Sequence, residues 1–104
     1  MLLVSTENLA QKNIVENLGL VRGTTVQSKH VGRDIMAGLK SIVGGELRGY
    51  TELLEEARDE ALQRMVREAE KMGANAVVNV RFMTSSIAAN ASEILVFGTA
   101  VKTD

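Results

Sequence analysis

The chain contains no cysteine and no proline, and its only aromatic residues are Tyr50, Phe82 and Phe97. Without cysteine there are no disulfides, thiolate metal ligands or cysteine nucleophiles. Three aromatic rings leave little surface on which bases or sugars can stack. The formal net charge of -1 lacks the basic surplus of nucleic-acid-binding domains. We therefore expect no nucleic-acid partner.

Long hydrophobic runs are also missing. No apolar stretch approaches the ~20 residues of a membrane span. The segment 1–5 is too short for the apolar region of a signal peptide, and no basic segment precedes it. The sequence predicts no membrane association and a cytoplasmic location, with which the lack of cysteine agrees.

The composition that remains is typical of a globular protein. Hydrophobic residues make up 45% and charged residues 24% of 104 positions. A chain of this length has room for one core, so we predict a single domain over residues 1–104.

Four strands and two helices are predicted. The strands span 2–5, 14–28, 76–84 and 93–101, and the second contains Gly19 and Gly23, which suit a bulge or bend. A short helix is predicted over Asp34–Val43. A long helix, with Thr51 as its N-cap, is predicted to run to Met72 and to end at Gly73.

The last strand is apolar on both of its faces. Leu95, Phe97 and Val101 oppose Ile94, Val96 and Ala100, because side chains alternate along a strand. On the preceding strand, Val78, Val80 and Phe82 are predicted to share one face. Two helices of this size cover one face of a small sheet but hardly both, so the second face is predicted to be buried in a homo-oligomer.

Several turns occur together in an order that resembles one known family. They are Ile42-Val43-Gly44-Gly45, Gly73-Ala74-Asn75-Ala76-Val77-Val78 and Gly98-Thr99-Ala100-Val101, with Leu18–Gly23 before them. In this order and spacing they closely resemble the YbjQ-like family of small bacterial and archaeal proteins, over nearly the whole chain.

The resemblance implies an α+β fold of two layers, similar to the dodecin subunit, with a long helix packed on a small, mainly antiparallel sheet. It also implies a ring-shaped homopentamer. The family's function is not established, and its usual label is "putative heavy-metal-binding". Two stretches depart from the family pattern: Arg81–Ser85 lacks the usual acidic residues and tyrosine, and Ser86–Ser92 replaces a glycine-rich hairpin.

The candidate metal ligands are few. His30 is the only histidine, and Asp34 follows four residues later. Copies of His30 from neighbouring subunits would have to converge to supply the three or four ligands of a stable site. The alternative is an exposed histidine in a loop.

Other sites are weaker. Lys29, His30 and Arg33 precede a predicted helix N-terminus and suit an anion, but Asp34 would cap the same donors. The helical cations alternate with acids and predict no basic stripe. No nucleophile, base and orienting group emerge together, so we expect no enzyme.

The sequence therefore favours a homo-oligomeric, pentameric ring that binds a metal or a small ligand, with no cofactor identified. The alternative is an assembly scaffold without small-molecule chemistry.

Overall fold

The computed structural model describes residues 1–28, 48–88 and 91–104, in which one helix packs on a four-stranded sheet. The elements are β1 (Leu2–Leu3), β2 (Ile14–Ser28), α1 (Arg48–Lys71), β3 (Ala76–Ala88) and β4 (Ala91–Thr103). The sheet order is β1-β3-β4-β2, and only the short β1–β3 pair is parallel. The predicted two-layer α+β fold is confirmed. The predicted short helix at Asp34–Val43 lies outside the described residues.

The strand predictions are confirmed in order but not in length. β2 has the predicted bounds, whereas β1 ends at Leu3 rather than at residue 5. β3 and β4 each extend beyond the predicted ranges and form a long hairpin. In this extension Ser85 pairs with Glu93 and Ser86 pairs with Ser92. Backbone hydrogen bonding thus continues beyond the apolar residues on which the predicted bounds were based.

The start of α1 corrects a prediction. Thr51 is not the N-cap, because the helix already begins at Arg48 and includes Gly49. Threonine's preference for caps favoured a later start, but this is a weak preference that tertiary context overrides.

The end of α1 follows the prediction. Gly73 has φ 83°, in the left-handed region that glycine adopts without strain. The N–H of Gly73 donates to the Glu70 carbonyl at 3.0 Å, and the N–H of Ala74 donates to the Ala69 carbonyl at 3.1 Å. These are the two hydrogen bonds of a Schellman motif, which satisfies the last helical carbonyls and turns the chain into β3.

The main core lies between α1 and the inner face of the sheet. Ala57, Ala61, Met65 and Ala69 form a fully buried stripe on the helix. They pack against the inward side chains of the strands, which are Val21, Val77, Ile94, Val96 and Ala100. The Thr25 hydroxyl donates to the Ala57 carbonyl at 3.1 Å, which satisfies a buried polar group.

The small residues of this stripe bring α1 unusually close to β2. A Cβ atom at Gly23 would overlap the Ala61 carbonyl oxygen and lie 2.6 Å from the Met65 backbone nitrogen. The lack of a side chain at Gly23 therefore allows α1 to pack closely on β2. The bulge that the sequence predicted in this strand lies at Gly19, where φ is 127° and the β2–β4 register shifts.

A second bulge, in β3, overturns the predicted alternation of that strand. Asn79 has φ 56°, and the β3–β4 register shifts between Val78 and Arg81. Val78 pairs with Thr99 on the outer face, whereas Phe82 pairs with Val96 on the inner face. Val78 and Phe82 thus lie on opposite faces, because the extra residue exchanges the two sides of the strand.

The outer face of the sheet is covered at one end by the chain itself. Leu9, with Val4 and Ile14, packs against Ala76, Val78 and Val101. Val101 is therefore buried within the subunit, although it lies on the same strand face as Leu95 and Phe97. The other end, around Leu95 and Phe97, keeps the apolar exposure that the sequence predicted.

The segment that covers this end is fixed by a clamp between Asn13 and Asp104. The Asn13 backbone N–H and side-chain amide donate to the two carboxylate oxygens of Asp104, at 2.9 and 3.0 Å. The Asp104 N–H donates back to the Asn13 carbonyl at 3.1 Å. Among the described residues, no helix is both long and apolar enough to cross a membrane.

Replacement of Gly23 by alanine should destabilise the fold by about 2–4 kcal/mol, because the new methyl group meets helix backbone that cannot rotate away. Thr24→Ala is the matched control: its side chain lies on the outer face, and it should cost less than about 1 kcal/mol. Chemical denaturation of both variants measures the difference. Equal stability of the two would contradict the close packing.

The clamp predicts a pH dependence. Hydrogen bonds from the Asn13 backbone and then from its side chain lower the pKa of Asp104 below its ordinary value. The carboxylate therefore stabilises the fold above an ordinary aspartate pKa of about 3.9, and this contribution is lost as the pH falls through the lowered value. An NMR titration should give a midpoint below about 3.9 for Asp104, and a midpoint at or above that value would contradict the clamp. Asp104→Asn should remove this part of the acid sensitivity.

Candidate functional site

The residues predicted to bind metal lie outside the described ranges. His30 and Asp34 both fall between 29 and 47. Within 1–28, 48–88 and 91–104, no group of three or more His, Asp or Glu side chains is arranged to hold a metal ion. The described residues also include no histidine, and the chain has no cysteine, so they do not fit the nitrogen and sulfur preferences of a heavy metal.

The described part of the chain instead offers two adjoining surfaces. The first is the uncovered part of the outer sheet face, here called the open face. Cross-strand register places the following side chains on it: Leu20, Arg22, Thr24, Val26, Arg81, Met83, Ser85, Glu93, Leu95 and Phe97.

The open face carries an apolar cluster although it faces solvent. Leu20 is 69% exposed, Val26 55% and Met83 52%, and they share the face with the half-buried Leu95 and Phe97. Arg22 and Arg81 are in register with Phe97 and flank the cluster. An exposed apolar patch with polar neighbours marks an interaction site.

The second surface is a groove along the edge of the sheet, between β2 and the second half of α1. Its volume is about 590 Å³, and four cations line it: Arg22 from β2 and Arg64, Arg67 and Lys71 from α1. We call these four residues and the space between them the basic groove. Among the described residues that line it, Glu68 alone is acidic.

Ion pairs compensate part of this charge. Arg64 and Arg67 both contact the same Glu60 carboxylate oxygen, at 3.2 and 3.5 Å, and Lys71 contacts Glu68 at 3.2 Å. The Glu60–Arg64 pair has the spacing of four residues that favours an ion pair on a helix. Because two guanidinium groups share one carboxylate, and Arg22 has no ion pair with any described residue, the groove keeps a positive excess.

Arg64 also connects the helix to the strand edge. Its guanidinium donates to the Thr24 carbonyl, which shows that this carbonyl points away from β4. In an antiparallel strand the N–H and C=O of one residue point to the same side, so those of Leu20, Arg22 and Thr24 all line the outer edge. No described strand pairs with that edge.

Sequence reasoning missed the basic groove because it compared neighbouring residues along the helix. Arg64, Arg67 and Lys71 alternate with acids in the sequence, yet their spacings of three and four residues place them on one flank. Spacing alone would have found the helical half. The contribution of Arg22 required the sheet register.

A third, polar cleft lies at the covered end of the outer face. It is lined by Glu7, Asn8, Asn17, Asn79 and Thr99, among others. One carboxylate with amide and hydroxyl oxygens is a hard donor set, which again does not suit a heavy metal.

Comparison with known proteins connects this architecture to a family. The sequence model of the YbjQ family, described as "Putative heavy-metal-binding", matches residues 1–104. The chain belongs to the YbjQ family. A UPF0145 protein of Hahella chejuensis is 69% identical over 101 residues, which cover 97% of each chain. A UPF0145 protein of Methanosarcina acetivorans is 60% identical over 98% of this chain and 96% of its own.

A solved structure shares the fold of this YbjQ-family chain. A protein of unknown function from Pediococcus pentosaceus, assigned to the DUF74 family, superposes with a TM-score of 0.67 at 14% sequence identity. The match covers 100% of this chain and 98% of the other. At this identity the likeness concerns the fold alone.

Proposed function

We propose that this protein is the subunit of a homo-oligomeric ring, a pentamer, that binds a metal ion or another small ligand, and that it acts in the cytoplasm. The observation that supports the assembly is the open face. Leu20, Val26 and Met83 are more than half exposed beside Leu95 and Phe97. Burial of such a surface is worth roughly 25 cal/mol per Å² of apolar area, which is the main source of affinity between subunits.

The ligand-binding half of the proposal has a different basis. It is supported by the family description and by the chemistry of His30, whose imidazole is a common metal ligand, with Asp34 as a second donor. One histidine per chain suits a site completed by symmetry, in which several subunits each supply one ligand.

The alternative is an assembly scaffold whose ring binds another protein and no small molecule. The inner face of the β3–β4 hairpin favours it, because Phe82 is 47% exposed there, on the face opposite to the one proposed for assembly. We propose no enzymatic activity for either version.

A charge on the open face should break the assembly. Leu95→Glu should raise the dissociation constant between subunits at least about tenfold, since a carboxylate would be buried beside Met83, with no cation in register with it on either neighbouring strand. Phe82→Glu is the matched control, because it adds the same charge on the inner face and should keep the oligomer. Native mass spectrometry reads the outcome. A fivefold mass for the wild type is expected, and a Leu95→Glu variant that keeps it would contradict the proposed interface.

His30 is tested by metal retention. Protein purified without chelator or affinity tag should show an integral excess of mass from bound metal, and His30→Ala should lose this excess while the ring stays intact. Asp34→Ala should weaken retention, whereas Glu7→Ala should not change it. A ring with no excess mass would contradict the proposed metal binding and would favour the alternative function, an assembly scaffold.

A further inference from the structure

Acids and cations of α1 cluster on different surfaces, although its second half also contains Glu60, Glu68 and Glu70. Its first half carries Glu52, Glu55, Glu56 and Asp59, all exposed, which we call the acidic patch. Its second half supplies three of the four cations of the basic groove. Arg58 is the only cation between residues 52 and 60. Each subunit thus presents two surfaces of opposite charge at different ends of one helix.

The two surfaces also point in different directions. An α-helix turns by about 100° per residue. The acidic patch is therefore centred roughly a quarter turn from the flank that carries Arg64, Arg67 and Lys71. That flank faces the β2 edge, whereas the acidic patch is turned away from β2 toward solvent. A subunit cannot bring its own acidic patch into its own basic groove.

We propose that the basic groove binds the acidic patch of a second copy of this chain. This inference rests on the proposed homo-oligomer and specifies how its subunits meet. The occupant is argued from charge complementarity: the groove keeps a positive excess after its internal ion pairs, and the acidic patch has no ion pair with any described residue. The groove also borders the open face directly, because Leu20, Arg22 and Thr24 belong to both. One neighbouring subunit can therefore cover the apolar surface and meet the cations at its rim.

This arrangement suits a cyclic ring. Groove against groove would oppose cations with cations. Groove against acidic patch joins two different surfaces, as the head-to-tail contact of a ring requires. The open face supplies most of the affinity between subunits, whereas the charges set their relative orientation and the rate of association.

Paired charge reversals test the contact. One variant carries Glu56→Lys and Asp59→Lys, and the other carries Arg67→Glu and Lys71→Glu. Each should raise the dissociation constant at least about tenfold, since like charges then face each other. A third variant carries all four substitutions and should regain the oligomer, because the charges match again in reverse.

Controls separate this effect from net charge and from misfolding. Glu7→Lys with Glu16→Lys changes the net charge as much as the first variant does, but at sites outside both surfaces, and should keep the oligomer. Circular dichroism and thermal unfolding check the fold of every variant. Sedimentation velocity between about 0.02 M and about 0.5 M salt should show weaker wild-type assembly at high salt, since screening shortens the range of the attraction.

The outcomes are distinct. Loss of assembly in both paired variants and its recovery in the fourfold variant support the contact between the basic groove and the acidic patch. Reversals that leave the oligomer intact, or a fourfold variant that does not recover it, overturn this contact, while the open-face interface is tested separately by Leu95→Glu. A wild-type protein that is monomeric at low salt overturns the proposed homo-oligomer itself.

Discussion

The close approach of α1 to β2 at Gly23 is the contact on which the rest of the structure depends. Only a strand position without a side chain, opposite the backbone at Ala61, lets the helix lie so near the sheet. From there the guanidinium of Arg64 reaches the carbonyl of Thr24 and ties the helix to the strand edge. The same proximity places cations of both elements around one groove. A wider spacing would separate them.

Local patterns predicted much of the fold. The period of its apolar residues predicted α1, and the glycine after it predicted where the helix ends. The run from Ile14 to Ser28, rich in Val, Leu and Thr, predicted β2. The incorrect predictions arose where backbone conformation, rather than the pattern of side chains, determines the structure. A positive φ at Asn79 exchanges the faces of β3, and asparagine in a strand gives little warning of it. The cover that Leu9 places over Val101 joins residues far apart in the sequence, which no short-range pattern detects.

The candidate site was less accessible to sequence reasoning. The open face followed from alternation in β4, because Leu95 and Phe97 lie on the side away from α1. The basic groove did not, since Arg22 and Arg67 are neighbours only after β2 and α1 have packed. His30 and Asp34 were chosen for their chemistry, and they stay predictions.

The order of the strands has a consequence for how the chain is made. Among the described strands, β2 pairs only with β4, and β1 pairs only with β3. Neither early strand has a described partner in the sheet until β3 and β4 have been synthesised. During synthesis on a ribosome, more than sixty residues must follow segment 14–28 before β4 begins. We therefore expect β2 to join the sheet late, and until then its unpaired backbone is a natural binding segment for a chaperone.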